Sequence, residues 1–348
     1  MSNPDSAPSP ALFSRTLAGA EHTAILEAAL ELDLFAAFDG GERDAAALAD
    51  HCAASPRGTR ILCDCLVALG FLTKEDGGYS PTPATAALLD SRAPGYVGAG
   101  QAFLRSPLRR EGFDRLAEAV RAGGAVVSEE GVLGVEDPMW VTFARSMAPL
   151  SAMHAGAVAE RIDMPQEQPV SILDIAAGHG LYGIALAQKH AEAEVTAVDW
   201  PNVLEVAVEH AAARGLGGRY RTRPGSALDV DFGTGYDLAL LTGFLHLFDR
   251  ATCETLLAKA HAALHENGRV VIVDFIPDDG KVTPPVAATF AAVMLVTTPA
   301  GDAYTAEEYT AMAERAGFSR CEPVSLAGSP LRAVIAHKGP SAGSRQGR

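Results

Sequence analysis

Over residues 170–337, apolar runs such as "VSILDI", "AEVTAVD", "YDLALLT" and "GRVVIVDF" alternate with helical patterns of ten or more residues. This predicts an α/β fold with a mostly parallel, doubly wound sheet. The last two strand-like runs, "SRCEPVSL" and "LRAVIAHK", are separated by only "AGSP". That link is too short for a crossover helix, so the sheet should end in an antiparallel hairpin. Ahead of the sheet, from Leu17 to about Leu89, short helices are followed by a hairpin pattern, which is the outline of a winged helix.

The opening residues, "MSNPDSAPSP", lack the basic start and apolar core of an export signal and are expected to be unstructured. No run of about 18 apolar residues follows, so a membrane span is not expected and a cytoplasmic location is. The first domain is expected over 11–95, with helices in "EHTAILEAALELDLFAAF", "DAAALADHC" and "SPRGTRILCDCLVALGFL". Asp44 is placed to cap the second helix and Gly70 to end the third. "TKEDGGYSPT" reads as a hairpin turning at Asp76, Gly77 and Gly78. The helix from Arg57 to Leu69 has two arginines near its start, then Asp64, and no basic stripe. Leu62, Leu66, Val67 and Leu69 are therefore expected in a core or a dimer interface, not against base edges.

A helical connector is expected over 96–165, interrupted by the Gly-rich loop "GGAVVSEEGVLGVEDP" and closed by the linker "DMPQEQP". The sheet domain is expected over 166–338, and the tail "GPSAGSRQGR" is expected to be disordered. The formal net charge of −15 argues against a nucleic-acid partner, because binding there depends on neutralising phosphates. The five cysteines are too scattered for a disulfide framework or a zinc site, and no metal is expected.

The stretch "SILDIAAGHGLYGIALA" leads from strand to helix through small residues, so backbone N–H groups can approach a ligand closely. NAD, FAD and S-adenosylmethionine all meet such a turn. Asp174 at the strand end would repel a diphosphate and attract a sulfonium and an ammonium. No Lys or Arg lies between Asp174 and Lys189 to balance phosphates. Asp199, ending the next strand, can accept both ribose hydroxyls, a feature that all three ligands share. The antiparallel end of the sheet also departs from the all-parallel nicotinamide arrangement. These features favour S-adenosylmethionine.

The combination resembles the S-adenosylmethionine-dependent O-methyltransferases of the plant caffeate and bacterial hydroxyindole type, over nearly the whole chain. The resemblance implies a class I methyltransferase sheet, a homodimer formed through the N-terminal domain, and a small-molecule acceptor. It places Gly178, Gly180 and Asp199 on the cofactor motif, with Ala176 and Ala177 where two glycines are usual. Trp200 falls where an aliphatic residue meets the adenine, Ser226 replaces the acid that meets the adenine amino group, and Ala227 follows it. Thr242 and Ser151 match positions that touch the cofactor. Phe143, Met147, Met294 and Thr298 match positions on the acceptor side.

In "LLTGFLHLFDRATCETLL", His246 falls on the family's general base and Phe248 on its aromatic neighbour, while Leu247 replaces an aspartate. Asp274 meets the first of two acids around that histidine. The second falls on Ala303 and is missing, with Asp302 beside it and Tyr304 where arginine is common. O-methylation of a hydroxyl with His246 as base is the expected activity. The absent second acid and apolar Leu247 keep open C-methylation of an activated carbon, and also cofactor binding without turnover. A ligand-sensing transcription factor is the reading the −15 charge disfavours.

Overall fold

The computed structural model describes residues 10–133, 138–165 and 168–339. The expectations for the leader and tail, and for part of the Gly-rich loop and the "DMPQEQP" linker, fall outside those residues. The chain divides between Gln101 and Ala102 into two compact units.

The first unit contains helices α1 (Ala11–Glu31), α2 (Ala45–His51) and α3 (Pro56–Ala68), then strands β1 (Leu72–Glu75) and β2 (Gly78–Pro81) and helix α4 (Pro83–Leu88). Asp44 caps α2 by accepting the Ala47 N–H at 2.8 Å. Ser55 caps α3 the same way, with Pro56 pre-set in the first turn. After α3, Gly70 takes φ +84°, the left-handed geometry that ends a helix. Asp76 and Gly77 have φ +46° and +91° and form a two-residue turn, while Gly78 already pairs with Glu75. The expected three-residue turn is therefore one residue shorter, because both central positions of a primed turn need positive φ. The core of this unit joins Leu34, Phe38, Leu48, Cys63, Leu66 and Tyr79. Asp64 ties α3 to the hairpin, accepting from Lys74 at 2.6 Å and from the Tyr79 hydroxyl at 2.7 Å.

The second unit opens with helices α5 (Gln101–Leu104, starting at the division), α6 (Pro107–Asp114), α7 (Leu116–Ala122), α8 (Pro138–Ser146) and α9 (Ala148–Arg161). The alternating part follows as β3 (Val170–Ile175), α10 (Leu181–Lys189), β4 (Ala193–Asp199), α11 (Pro201–Ala213), β5 (Tyr220–Pro224), β6 (Tyr236–Thr242), α12 (Arg250–Ala263), β7 (Leu264–Asp274), α13 (Pro285–Thr297), α14 (Ala306–Arg315), β8 (Arg320–Ser325) and β9 (Arg332–His337). The seven strands lie in the order β5-β4-β3-β6-β7-β9-β8. Pairing is parallel from β5 to β7 and antiparallel from β7 to β9 and β8.

The period of two along each strand feeds two cores. Ile172, Val195, Leu240 and Val271 pack with Leu181, Ile184 and Leu204 on one face. Leu173, Val198, Leu241 and Ile272 pack with Leu256, Met294 and Tyr309 on the other. Strand order reverses at β3 and β6, and at such a switch point the loops leaving the strand ends part to form a crevice. Among the described residues, no helix is long and apolar enough to cross a membrane.

Candidate active site

A cavity of about 970 Å³ opens at this switch point. Its floor is the turn after β3. Ala176, Gly178 and Gly180 take φ +53°, +56° and +73° there, three left-handed residues in a stretch of five. Ala176 is the one position where the turn places a Cβ in that region. A Cβ on Gly183 would lie 2.8 Å from the Asp174 Oδ2 and 2.9 Å from Val195, so glycine lets α10 settle onto the sheet.

Asp174 is not on the cavity wall. It is buried beneath the turn and accepts the Gly183 N–H at 3.2 Å, and burial pushes its carboxyl up to about 7. The expectation that it faces the cofactor is corrected on this point: α10 seats closely on the sheet and its first turn takes Oδ2, while Oδ1 is buried with no hydrogen-bond partner among the described residues.

Asp199 does face the cavity. Its two oxygens accept the Gly178 N–H at 2.8 Å and the Trp200 N–H at 2.7 Å, which fixes the carboxylate and leaves each oxygen a further lone pair. Enclosure raises its pKa to about 6. Gly178, Trp200, Ser226, Ala227, Thr242 and Ser151 also line the cavity, whereas Gly180 lies just behind. The Ser226 hydroxyl accepts the Leu228 N–H at 3.1 Å and keeps its own hydrogen to donate.

These groups fit a nucleoside that carries no diphosphate. A carboxylate held by two amides suits a ribose diol, the small residues at 176–178 and 225–227 admit flat rings, and no Lys or Arg stands at the turn to balance a diphosphate. His179, between two glycines of the motif, is buried and held neutral, with its pKa lowered to about 3 by burial and by His210. Its ring stacks on Phe143 with centroids 5.8 Å apart, so it serves as wall.

Across the cavity, His246 sits in a 3₁₀ turn (Leu245–Leu247) after β6. It is buried to 7% exposure and lines the space. Its Nδ1 lies 2.7 Å from the Asp274 Oδ1 at the end of β7. A carboxylate only accepts, so Nδ1 carries the hydrogen and Nε2 is the nitrogen left for the cavity. Asp274 is held in turn by the Phe275 N–H at 2.8 Å and by the Tyr309 hydroxyl of α14 at 2.8 Å. Phe290 of α13 stands edge-on to the His246 ring at 4.8 Å between centroids. Tyr309 and Phe290 are not evident from sequence. The one available signal is that a tyrosine on a helix's core face needs a partner for its hydroxyl.

Phe143, Met147 and Met294 line the cavity as expected, joined by Phe103, Phe113, Met139 and Trp140. Thr298 does not line it, which corrects the expectation. Its hydroxyl donates to the Met294 carbonyl and accepts the Gly301 N–H, closing the end of α13, and Thr297 lines the wall instead. Ala303 is buried, Asp302 pairs with Lys281 at 2.8 Å, and the Tyr304 hydroxyl donates to the Phe248 carbonyl. None of the three reaches the cavity. Among the described residues, no group of three or more His, Cys, Asp or Glu is arranged to hold a metal ion.

The chain is similar to known proteins over most of its length. Residues 116–319 match the O-methyltransferase domain and residues 15–91 the O-methyltransferase dimerisation domain. The 3-hydroxy-5-methyl-1-naphthoate 3-O-methyltransferase of Streptomyces sahachiroi is 31% identical over 94% of each chain. The L-tyrosine C(3)-methyltransferase of Streptomyces lavendulae is 27% identical, over 87% of this chain and 85% of its own. A candidate O-methyltransferase structure from Nostoc punctiforme is 46% identical, with a TM-score of 0.91 over 95% of this chain and 100% of that one. Human N-acetylserotonin methyltransferase in complex with S-adenosylmethionine shares the fold, with a TM-score of 0.84 at 21% identity over 97% of this chain and 100% of that one. Fold and site together define a methyltransferase that uses S-adenosylmethionine. The chain belongs to the O-methyltransferase family.

Proposed function

We propose that the protein methylates a hydroxyl group on a small, largely apolar aromatic acceptor, with His246 as general base. The hydrogen-bonded series that runs from His246 and Asp274, in the wall of a cavity otherwise rich in aromatic and methionine side chains, to Tyr309 in the core behind them carries this reading. When bound, S-adenosylmethionine supplies an electrophilic methyl group on a positively charged sulfur. Asp199, Ser226 and Thr242 would hold its nucleoside portion, with Trp200 against the adenine and Ser151 toward the amino-acid end. Phe143, Met147, Met294 and Phe290 clasp the acceptor, exclude water and hold it in the line of attack, an ordering that is worth several kcal/mol, up to roughly 7–11 in ideal intramolecular systems.

A phenol, with a pKa of about 10, is mostly protonated at neutral pH. Nε2 takes that proton as the new bond forms, and Asp274 on Nδ1 stabilises the imidazolium. Tyr309 positions Asp274. In the same reading, residues 11–95 form a winged-helix module through which two copies pair, 96–165 shapes the acceptor side, and 166–338 binds the cofactor.

C-methylation is the second reading, favoured by the Streptomyces lavendulae relative and by Ala303 and Leu247, which bring no acid to His246. Incubation with ¹³C-methyl-labelled S-adenosylmethionine and a set of phenols separates the two. The carbon shift of a methoxy group in the product is the expected result, and an aryl or alkyl methyl shift overturns the O-methylation reading.

A further inference from the structure

One cation on the acceptor side has no evident work in the reaction as described. Arg109, on α6, lines the cavity together with Phe113 one helical turn further on. Between them, Gly112 lets α6 approach α13 closely: a Cβ there would lie 3.0 Å from Val296. The Arg109 guanidinium sits over the Phe103 ring, 5.8 Å from its centroid, and its Nε is buried without a hydrogen-bond partner. Among the described residues, no carboxylate forms an ion pair with it. Burial and the neighbouring Arg105 both act to lower its pKa, and no acid among the described residues acts to raise it.

A guanidinium taken partly out of water is costly unless it meets an anion, and its planar donors match a carboxylate in pairs. Among the described residues, the acids that line the cavity are engaged elsewhere or stand apart: Asp199 at the cofactor turn, Asp274 on His246, and Asp229 beyond Ser226. A ligand can therefore supply the missing charge. We infer that the acceptor is an aromatic hydroxy acid whose carboxylate is held by Arg109, with its ring between Phe103 and the α13 wall and its hydroxyl toward His246. This inference rests on the proposed acceptor side of the cavity and adds the charge of the substrate to it.

The test is calorimetric binding to protein saturated with S-adenosylhomocysteine. The probes are 3-hydroxybenzoate, 3-hydroxy-1-naphthoate and a three-ring hydroxy acid, each beside its methyl ester. At least one acid is expected to bind ten-fold or more tightly than its ester. Arg109→Gln is expected to abolish that preference, Arg109→Lys to keep part of it, and both variants to bind S-adenosylhomocysteine like the native chain, which reports that they are folded. Esters binding as well as the acids throughout, or Arg109→Gln retaining the preference, overturns the inference. Because binding needs no turnover, an acid preference without any methylated product would count against the proposed reaction and not against this site.

Discussion

Around Gly178, the polar groups that face the cavity are fixed by the main chain: Asp199 takes amide hydrogens from Gly178 and Trp200, and Ser226 takes one from Leu228. Around His246, they are fixed by side chains drawn from β7 and α14. The first wall is written in a run of small residues whose spacing is local. The second depends on three segments separated by tens of residues and brought together only by the sheet. A wall made from backbone suits a ligand common to a whole family, and one made from side chains can change with each acceptor.

Substitutions on the two walls should therefore behave differently. The largest effect is expected from His246→Ala: methyl transfer to a phenol should fall by about 10²–10⁴-fold, with S-adenosylmethionine affinity unchanged in a separate titration. Equal losses in binding and turnover would erase the contrast.

Next, Asp199→Ala should weaken S-adenosylmethionine binding by about 3 kcal/mol, since it removes charge-assisted hydrogen bonds and frees two amides of the turn. The native protein carries a pH signature of the same group. Its pKa is raised from 3.8 to about 6, so the carboxylate is available above that value, and cofactor affinity should fall as the pH is lowered through it. The ligand-free fold runs the other way. A raised pKa contributes stability below its unfolded value of 3.8, and that contribution is lost as the pH rises through about 6. Calorimetry between pH 5 and 8 reads the first trend, and urea midpoints read the second.

Tyr309→Phe removes one neutral donor from Asp274 and should cost about 1 kcal/mol, a several-fold drop in kcat with KM for the cofactor unmoved. Ala176→Gly is expected to be the smallest change and a favourable one. Relief of a left-handed alanine, worth roughly 1–2 kcal/mol, exceeds the added chain entropy of glycine, about 0.5–1 kcal/mol, so the urea midpoint should rise slightly.

The contrast also explains what could be read from the sequence. The parallel sheet, its antiparallel end, the Asp44 cap and the Gly70 stop all follow from period, loop length and local conformational preference. Gly178 and Asp199 follow from the motif, and His246 and Asp274 from the resemblance. Asp174 is less legible. The sequence puts it at a strand end, but only the close seat of Gly183 shows that the carboxylate turns under the loop. Thr298 follows the last residue of α13 and closes the helix, so a one-residue displacement exchanges it with Thr297 on the wall. Tyr309, Phe290 and Arg109 sit in ordinary amphipathic patterns, where packing across the fold decides what each one meets.

The most direct test of the account is a crystal structure with S-adenosylhomocysteine and a phenolic acceptor bound together. The acceptor oxygen is expected within hydrogen-bond reach of the His246 Nε2, about 2.6–3.2 Å, with the cofactor ribose on Asp199. An acceptor that presents a carbon to the sulfur, with its hydroxyl turned away from His246, would contradict the account.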